Sequence, residues 1–202
     1  NMIHPAVRVA MDIAGADEIY CMGGAQAIAA LAFGTETVKP VDLIAGPGNR
    51  FVAEAKRQVF GTVGIDSLAG PSEVLVLADE TANPTYVAID LLGQAEHDPN
   101  AKPILVCTSE KVIDEAMVEL QRLLPTLETQ DVAAQAWKDN GAIYLADSMD
   151  EAIDISNDIA PEHLEVQVKD EREVAKKLLH YGSMFVGHYA PVAFGDFVSG
   201  PN

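Results

Sequence analysis

Short runs of apolar and β-branched residues alternate along the chain with longer stretches in which apolar residues recur at helical spacing. The short runs predict strands at Glu18–Met22, Val41–Ala45, Glu73–Ala78, Ile104–Thr108, Ala142–Leu145, Leu164–Val168 and Ser183–Val186. The longer stretches predict helices at His4–Ile13, Ala25–Phe33, Phe51–Val59, Pro84–Glu96, Glu110–Leu124, Thr129–Asp139, Met149–Asp158 and Arg172–Leu179. Strands that alternate with helices are typical of βαβ units, so the sequence predicts an α/β fold with mostly parallel sheets flanked by helices.

The connections between these elements are brief and carry Gly, Pro, Asn or Asp, and no repeat of fixed period is visible. A chain of 202 residues is long enough for one large domain or for two small ones. Pro and polar residues gather at Asp79–Pro84 and between Leu124 and Gln130. An internal boundary could fall at either place, and the pattern does not choose between them.

The charge balance is strongly acidic, with 13 Lys and Arg against 31 Asp and Glu and a formal net charge of -18 at pH 7. Binding to nucleic acid or to an anionic membrane needs clustered Lys and Arg, so this balance disfavours both partners. No apolar run reaches the length of a membrane span, and the first residues show no signal-peptide pattern. We therefore expect a globular protein of the cytoplasm whose partner is a small molecule.

The two cysteines, Cys21 and Cys107, both lie inside apolar runs. Neither belongs to a CxxC pair or stands beside a histidine, so no disulfide framework and no thiolate nucleophile is indicated. Both are predicted to be buried strand residues in a reducing compartment.

A glutamine and a histidine stand three positions apart at the predicted end of a helix that Pro99 stops. Positions i and i+3 of a helix share a face, so Gln94 and His97 can point at one spot. A neutral imidazole and an amide oxygen suit a zinc ion. The alternative is that His97 is a surface or capping residue, which is commoner for a lone histidine near a helix end.

A carboxylate is followed directly by an imidazole at Glu162-His163, just before a predicted strand. This places the pair at a sheet edge, where α/β enzymes carry reactive groups, and proton transfer near neutral pH favours histidine as the base. An ordinary surface pair after the Pro161 turn is the alternative. Asp196, between glycine and an aromatic residue, is either a metal ligand or a turn or helix cap.

Glycine turns at 23–26 and 46–49 each follow a predicted strand and open a helix, an arrangement that lets backbone N–H groups approach phosphate. Neither turn has the spacing G-x-G-x-x-G, so no standard dinucleotide site follows from them. Their other interpretation is a tight turn that needs glycine for its backbone conformation.

Several longer motifs, in this order and at these separations, resemble those of histidinol dehydrogenases along nearly the whole chain. They are Gly-Gly-Ala-Gln-Ala-Ile-Ala-Ala-Leu-Ala at 23–32, Gly-Pro-Gly-Asn at 46–49, Ala-Gly-Pro-Ser-Glu-Val-Leu-Val at 69–76, Gln-Ala-Glu-His at 94–97, Pro-Glu-His-Leu at 161–164 and Gly-Asp at 195–196. The resemblance implies oxidation of L-histidinol through the aldehyde to L-histidine, the last steps of histidine biosynthesis, with NAD and zinc as cofactors. It also implies two similar Rossmann-like subdomains.

The resemblance assigns roles to matching residues. It implies zinc ligation by Gln94, His97 and Asp196, acid–base catalysis by Glu162 and His163, substrate contacts from Ser72, Gln94, His97, His163 and Asp196, and NAD contacts from Gln26 and Asn49. In the family the enzyme is a homodimer, and the partner subunit completes each zinc site with a histidine from its C-terminal tail. The present chain matches the central portion of such an enzyme, without that tail and without the N-terminal segment, so we expect it to be inactive alone.

Alternatives remain at this point. Asn49-Arg50-Phe51 and Phe194-Gly195-Asp196 are also similar to relatives nearer to sulfopropanediol dehydrogenase, which share the zinc and Glu-His machinery but oxidise another small diol. Ser72, in its Gly-Pro-Ser-Glu context, favours histidinol. An inactive truncated fragment, an assembly-only subunit, and an α/β domain that merely grips phosphate at 46–49 are further interpretations.

Overall fold

The computed structural model describes residues 3–46, 48–66 and 72–197, with the exception of the side chains of Asp196 and Phe197. The chain divides into two compact units, Asn1–Gly70 and Pro71–Asn202. This division precedes both stretches, Asp79–Pro84 and 124–130, at which polar residues gather in the sequence.

The first unit is a small α/β unit. Its elements are α1 (Pro5–Ile13), α2 (Ala25–Phe33), β1 (Leu43–Ile44), α3 (Arg50–Val59) and β2 (Gly64–Ile65). The two strands pair in parallel, with Leu43 opposite Gly64. A small core of apolar side chains from α2, β1 and the end of α3 holds the unit together; its buried members are Ile28, Ala32, Ile44, Val59 and Val63.

Sequence patterning was least successful in this unit. The strand predicted at Glu18–Met22 is wrong, since these residues adopt no strand pairing and Ile19 and Met22 are exposed. The expectation that Cys21 is a buried strand residue is also wrong, because Cys21 lies in this unpaired stretch and is exposed. An apolar run becomes a strand only where a neighbouring backbone pairs with it, and the first unit supplies none to this run.

The second unit contains the large sheet and its helices. Its elements are β3 (Glu73–Ala78), α4 (Pro84–Ala95), β4 (Lys102–Cys107), α5 (Glu110–Leu123), a 3₁₀ turn (Leu124–Thr126), α6 (Gln130–Asn140), β5 (Ala142–Leu145), α7 (Met149–Ile159), β6 (His163–Gln167), α8 (Glu171–Ala175), β7 (Ser183–Val186) and α9 (Ala193–Phe197). Asn83, Ser109 and Ser148 accept hydrogen bonds from first-turn N–H groups, which fixes where α4, α5 and α7 begin.

The five strands of the second unit are all parallel and lie in the order β5-β4-β3-β6-β7. The chain therefore starts in the middle of the sheet, winds outwards through β4 and β5, and returns to β6 on the other side of β3. This is the doubly wound order of Rossmann-like folds, with a topological switch point between β3 and β6. The prediction of an α/β fold with parallel sheets flanked by helices is confirmed.

The two faces of the sheet carry separate cores. Val74 and Val76 pack with the apolar faces of α4, α5 and α6, and Cys107 is buried in that same core, as the sequence predicted. Leu75 and Leu164 pack on the opposite face with α7 and α8. Because side chains alternate along a strand, His163, Glu165 and Gln167 of β6 project to the α4 side of the sheet. No helix in the described ranges is long and apolar enough to cross a membrane.

Candidate active site

Several of the residues singled out by sequence meet at one edge of the large sheet. Val74 of β3 pairs with His163 of β6, and His163 pairs with Ser183 of β7, so the starts of these three strands are level. Ser72 directly precedes β3, and Glu162 directly precedes β6. The edge formed is the amino-terminal one, whereas ligands of open α/β sheets usually bind outside the carboxyl ends.

His163 is the first residue of β6 and is 7% exposed. Its Nδ1 lies 3.1 Å from the backbone oxygen of Glu73. A carbonyl oxygen only accepts hydrogen bonds, so the neutral imidazole carries its proton on Nδ1 and leaves the lone pair of Nε2 for chemistry. The ring also lies beside Phe185, with 6.1 Å between ring centroids, which limits its rotation.

Glu162 is held by the same backbone unit that holds His163. The N–H of Glu73 donates to Oε2 of Glu162 over 3.1 Å, and this oxygen is 3.7 Å from Nδ1 of His163. The Glu162 side chain is 44% exposed, so its carboxylate remains accessible to water. One residue, Glu73, thus orients the imidazole of His163 with its C=O and the carboxylate of Glu162 with its N–H.

The backbone of Glu162 is clamped at the same edge. Its carbonyl accepts the N–H of Ser183 at 2.8 Å, while a Cβ added to Gly182 would lie 2.6 Å from that carbonyl oxygen. A real Cβ does not approach so closely, so only glycine permits this contact between the starts of β6 and β7.

Gln94 and His97 lie at the end of α4. The helix ends at Ala95, one residue earlier than predicted, and the N–H of His97 donates to the carbonyl of Gln94 at 3.3 Å in the following turn. Gln94 is buried, whereas His97 is exposed.

The direction of α4 brings these two residues towards His163. The helix connects two parallel strands and therefore runs antiparallel to them. Asp90, one turn before Gln94, accepts a hydrogen bond from Nε2 of Gln167 at 2.7 Å, at the far end of β6. Gln94 lies one turn further along α4, nearer the edge at which β6 begins, and His97 follows in the turn after the helix.

Asp196 lies in α9, and its side chain is outside the part of the structure that is described. The helix itself is near His163, because a Cβ at Gly195 would lie 2.8 Å from Cζ of Phe185, whose ring contacts His163. Among the described side chains no group of three or more His, Cys, Asp and Glu is placed to hold a metal. The predicted ligand set could not form such a group, because Gln94 is an amide and the side chain of Asp196 is not among those described.

Gln26 and Asn49 belong to the first unit, and both are exposed. Gln26 lies in the first turn of α2, next to Gly24, whose positive φ of 75° favours glycine. Asn49 caps α3, its Oδ1 accepting from the N–H groups of Phe51 and Val52 at 3.1 and 3.2 Å. The amide nitrogen of Asn49 is not used by this cap.

Sequence reasoning missed a polar cluster between α4 and β6, formed by Asp90, Glu165 and Gln167. Burial, followed by the nearby Asp90 carboxylate, raises the pKa of Glu165 to about 9, and burial also raises the pKa of Asp90. The available signal was polar residues at alternate positions of a strand together with an aspartate inside an otherwise apolar helix.

The family model for histidinol dehydrogenase matches residues 1–202. The chain is 52% identical over 200 residues to histidinol dehydrogenase 1 from a Nostoc species, covering 99% of this chain and 46% of that protein. It is also 52% identical over 203 residues to histidinol dehydrogenase from Ruegeria pomeroyi, covering 100% and 47%.

The crystal structure of histidinol dehydrogenase from Elizabethkingia anophelis superposes with a TM-score of 0.92 at 41% identity, over 99% of this chain and 46% of that one. The chain thus spans about half the length of the relatives it matches. A match along all of its residues, at this level of identity and with this agreement in fold, establishes that the chain belongs to the histidinol dehydrogenase family.

Proposed function

We propose that this chain forms part of an enzyme that oxidises L-histidinol through L-histidinal to L-histidine, with NAD as oxidant and zinc in the site. The observation that carries the proposal is that the backbone of Glu73 forms hydrogen bonds with both Glu162 and His163, in a chain of this family. An acid–base pair oriented by one backbone unit suits a reaction in which one proton transfer follows another.

His163 is the base of the first step. Its Nε2 takes the hydroxyl proton of the alcohol while the carbon-bound hydrogen leaves with its electron pair, giving the aldehyde. The bond from Nδ1 to the Glu73 carbonyl fixes the tautomer that this step needs. NAD, when bound, supplies the hydride acceptor for this oxidation and for the next one.

Glu162 acts in the second step. The aldehyde must add water before it is oxidised to the acid, and the exposed carboxylate of Glu162 accepts a proton from that water. Because Oε2 accepts the N–H of Glu73, the carboxylate is held in place, while the side chain is exposed enough to meet water.

Gln94, His97 and Asp196 hold the metal in this proposal. The fit rests on the donor chemistry of Gln94, an amide in a residue that is 6% exposed, and of an imidazole three positions further along. Oxygen and nitrogen donors of this kind suit zinc. Zinc, when bound, supplies an anchor for the imidazole and amino nitrogens of the substrate. Ser72, beside Glu73 at the same edge, contributes a hydroxyl group for substrate binding.

Gln26 and Asn49 contact NAD in this proposal. The amino end of α2 has no side-chain cap, and Gly24 exposes the backbone there, which suits an approaching anionic group. At α3 the Asn49 oxygen is used by the cap, so its amide nitrogen is the group left to donate to the cofactor.

A substrate comparison on the full-length protein tests the proposal. NADH formation is followed at saturating NAD with histidinol and with sulfopropanediol, and the bound zinc is quantified in the same preparation. We expect zinc to be present and kcat/KM to be far higher for histidinol. A preference for the sulfonated diol would move the protein to the related dehydrogenases, and a metal-free protein with full activity would remove zinc from the site.

A further inference from the structure

A buried polar cluster joins the three parts of the second unit that carry the proposed site. We call it the carboxyl hub and define it by Asp90 of α4, Glu165 and Gln167 of β6, and the backbone N–H of Val192. Gln167 Nε2 donates to Asp90 at 2.7 Å and to Oε2 of Glu165 at 3.2 Å. The other oxygen of Glu165 accepts the N–H of Val192 at 3.1 Å.

The hub lies in the interior of the protein. Glu165 and Gln167 are 1% and 2% exposed. At this depth two ionised carboxylates would repel each other strongly, and burial together with Asp90 raises the pKa of Glu165 to about 9. Glu165 is therefore neutral near pH 7, and its carboxyl group both donates and accepts hydrogen bonds.

Each residue that anchors the hub to an element lies within four positions of a residue of the proposed site. Asp90 precedes Gln94 by one turn of α4. Glu165 follows His163 by two positions of β6, on the same face of the sheet. Val192, immediately before α9, precedes Asp196 by four positions.

A second contact repeats the link between α4 and the segment that follows β7. The rings of Tyr86 and Tyr189 meet edge to face with 5.8 Å between centroids. Tyr86 precedes Asp90 by one turn of α4, and Tyr189 precedes Val192 by three residues. The segment is therefore held at two successive points, at α4 by Tyr189 and at β6 by Val192.

A purely stabilising role does not account for this cluster. Apolar side chains of similar size often replace buried polar groups without loss of stability, so stability alone does not require carboxyl groups here. Hydrogen bonds differ from apolar contacts in fixing one relative placement of three elements.

We propose that Glu165 is a positioning residue that sets α4, the start of β6 and the segment before α9 in one arrangement, so that Gln94, His163 and Asp196 keep the separations that the metal and substrate require. This inference rests on the proposed function, because that function assigns Gln94, His163 and Asp196 to one site. The hydrogen bonds of the hub are present whether or not that assignment holds.

Two substitutions of Glu165 test this role in the full-length protein. In Glu165→Gln the amide oxygen still accepts from the N–H of Val192 and the NH2 group donates to Asp90, as the neutral carboxyl group of Glu165 does. Only the 3.2 Å bond from Nε2 of Gln167 loses its acceptor, and Gln167 keeps its 2.7 Å bond to Asp90, so zinc affinity and kcat/KM should remain within about twofold of wild type. In Glu165→Leu both bonds are lost, and zinc affinity measured against a chromophoric chelator should fall by about tenfold or more. Val166→Ala is the matched control, because it disturbs the neighbouring position of β6 on the opposite face of the sheet.

The proposal is overturned if folded Glu165→Leu binds zinc like wild type, if Glu165→Gln loses as much affinity as Glu165→Leu, or if Val166→Ala loses as much at a similar melting temperature. Should Glu165→Leu fail to fold, Gln167→Leu keeps Glu165 but removes the amide that joins it to Asp90. Its zinc affinity should fall in the same direction, and an unchanged value also rejects the proposal.

Hydrogen exchange separates this inference from the proposed function. Peptides that cover 187–197 should exchange slowly in wild type and in Glu165→Gln, and faster in Glu165→Leu or Gln167→Leu, because the Val192 N–H loses its acceptor. If wild type binds no zinc, the proposed function fails while this measurement still decides whether the hub holds the segment. Equal exchange in all variants would reject the hub.

Discussion

The imidazole of His163 has one nitrogen committed to the backbone and the other left for proton transfer. Substituting His163→Asn removes the Nε2 base from a position where the buried ring is held by Glu73 and Phe185. NADH formation from histidinol should fall by about 10²- to 10⁴-fold, the usual contribution of a general base. The matched control is His180→Asn, since the exposed His180 also bonds a backbone carbonyl through Nδ1 but lies outside the site. A comparable loss in the control would show that the effect on His163 is not catalytic.

Glu162 is more exposed to solvent than His163. Its substitution is therefore predicted to slow the oxidation of the aldehyde rather than that of the alcohol. In Glu162→Gln the amide oxygen still accepts the N–H of Glu73, but the side chain no longer takes a proton from water. The rate from histidinal should fall by about 10²- to 10⁴-fold, with less effect on the rate from histidinol, so that the aldehyde accumulates. Both rates are measured separately, with Glu173→Gln as a surface control. Equal losses from the two substrates would contradict the separation of roles.

At the scale of elements, the junction of β6 and β7 depends on the missing side chain of Gly182. In Gly182→Ala the new Cβ would meet the Glu162 carbonyl oxygen at 2.6 Å, so the strand starts must separate. We expect a loss of about 1–3 kcal/mol in the free energy of unfolding and a lower kcat, because Glu162 moves with its backbone.

The comparison is with Gly93→Ala in α4, where no atom lies within 4 Å of the added Cβ. Helix propensity there predicts a gain of up to about 1 kcal/mol. Chemical denaturation of both variants measures the two effects. Unchanged stability and kcat in Gly182→Ala would show that the junction relaxes around the methyl group.

The success of pattern reasoning varied from element to element for physical reasons. β3, β5 and β7 have the predicted bounds, because their apolar runs are paired in the large sheet and end at turns. The run at 18–22 has a similar composition but no pairing partner, which local sequence does not report. α9 was not predicted, because a glycine in so short a segment is typical of a turn. In the structure Gly195 instead allows the helix to pack closely against Phe185.

The carboxyl hub gives the second unit a pH dependence of its own. The folded pKa of Glu165, about 9, is raised above the value of an unfolded chain, near 4.5. Such a group contributes most stability below its unfolded pKa, and this contribution is lost as pH rises towards and through the folded pKa. The free energy of unfolding of wild type should therefore fall relative to Glu165→Gln between about pH 5 and pH 9. Denaturation curves at several pH values decide this, and parallel pH profiles for the two proteins would contradict a neutral buried Glu165.

At the scale of the whole molecule, the pairing of parallel strands brings residues from different parts of the chain to one edge of the large sheet. Ser72, the Gln94 and His97 pair, and the Glu162 and His163 pair come from three separate parts of the sequence, and both pairs also have an ordinary interpretation. Motif resemblance assigned their roles, but only the strand order and the pairing of Val74 with His163 show that Ser72, Glu162 and His163 share one edge. The sequence also gave no indication that this is the amino-terminal edge, since either end of a strand accommodates a polar pair.

The acidity of the chain bears on the proposed choice between histidinol and sulfopropanediol. A formal net charge of -18 creates a negative potential that attracts cations and repels anions. Histidinol carries a protonated amine, whereas sulfopropanediol carries a sulfonate, so the field favours the former. Because salt shortens the Debye length from about 30 Å at 0.01 M to about 8 Å at 0.15 M, kcat/KM for histidinol should fall over this range. An uncharged alcohol analogue, measured in the same buffers, should show no such fall. A value for histidinol that is flat or rises with salt would mean that local contacts, and not the overall charge, decide the preference.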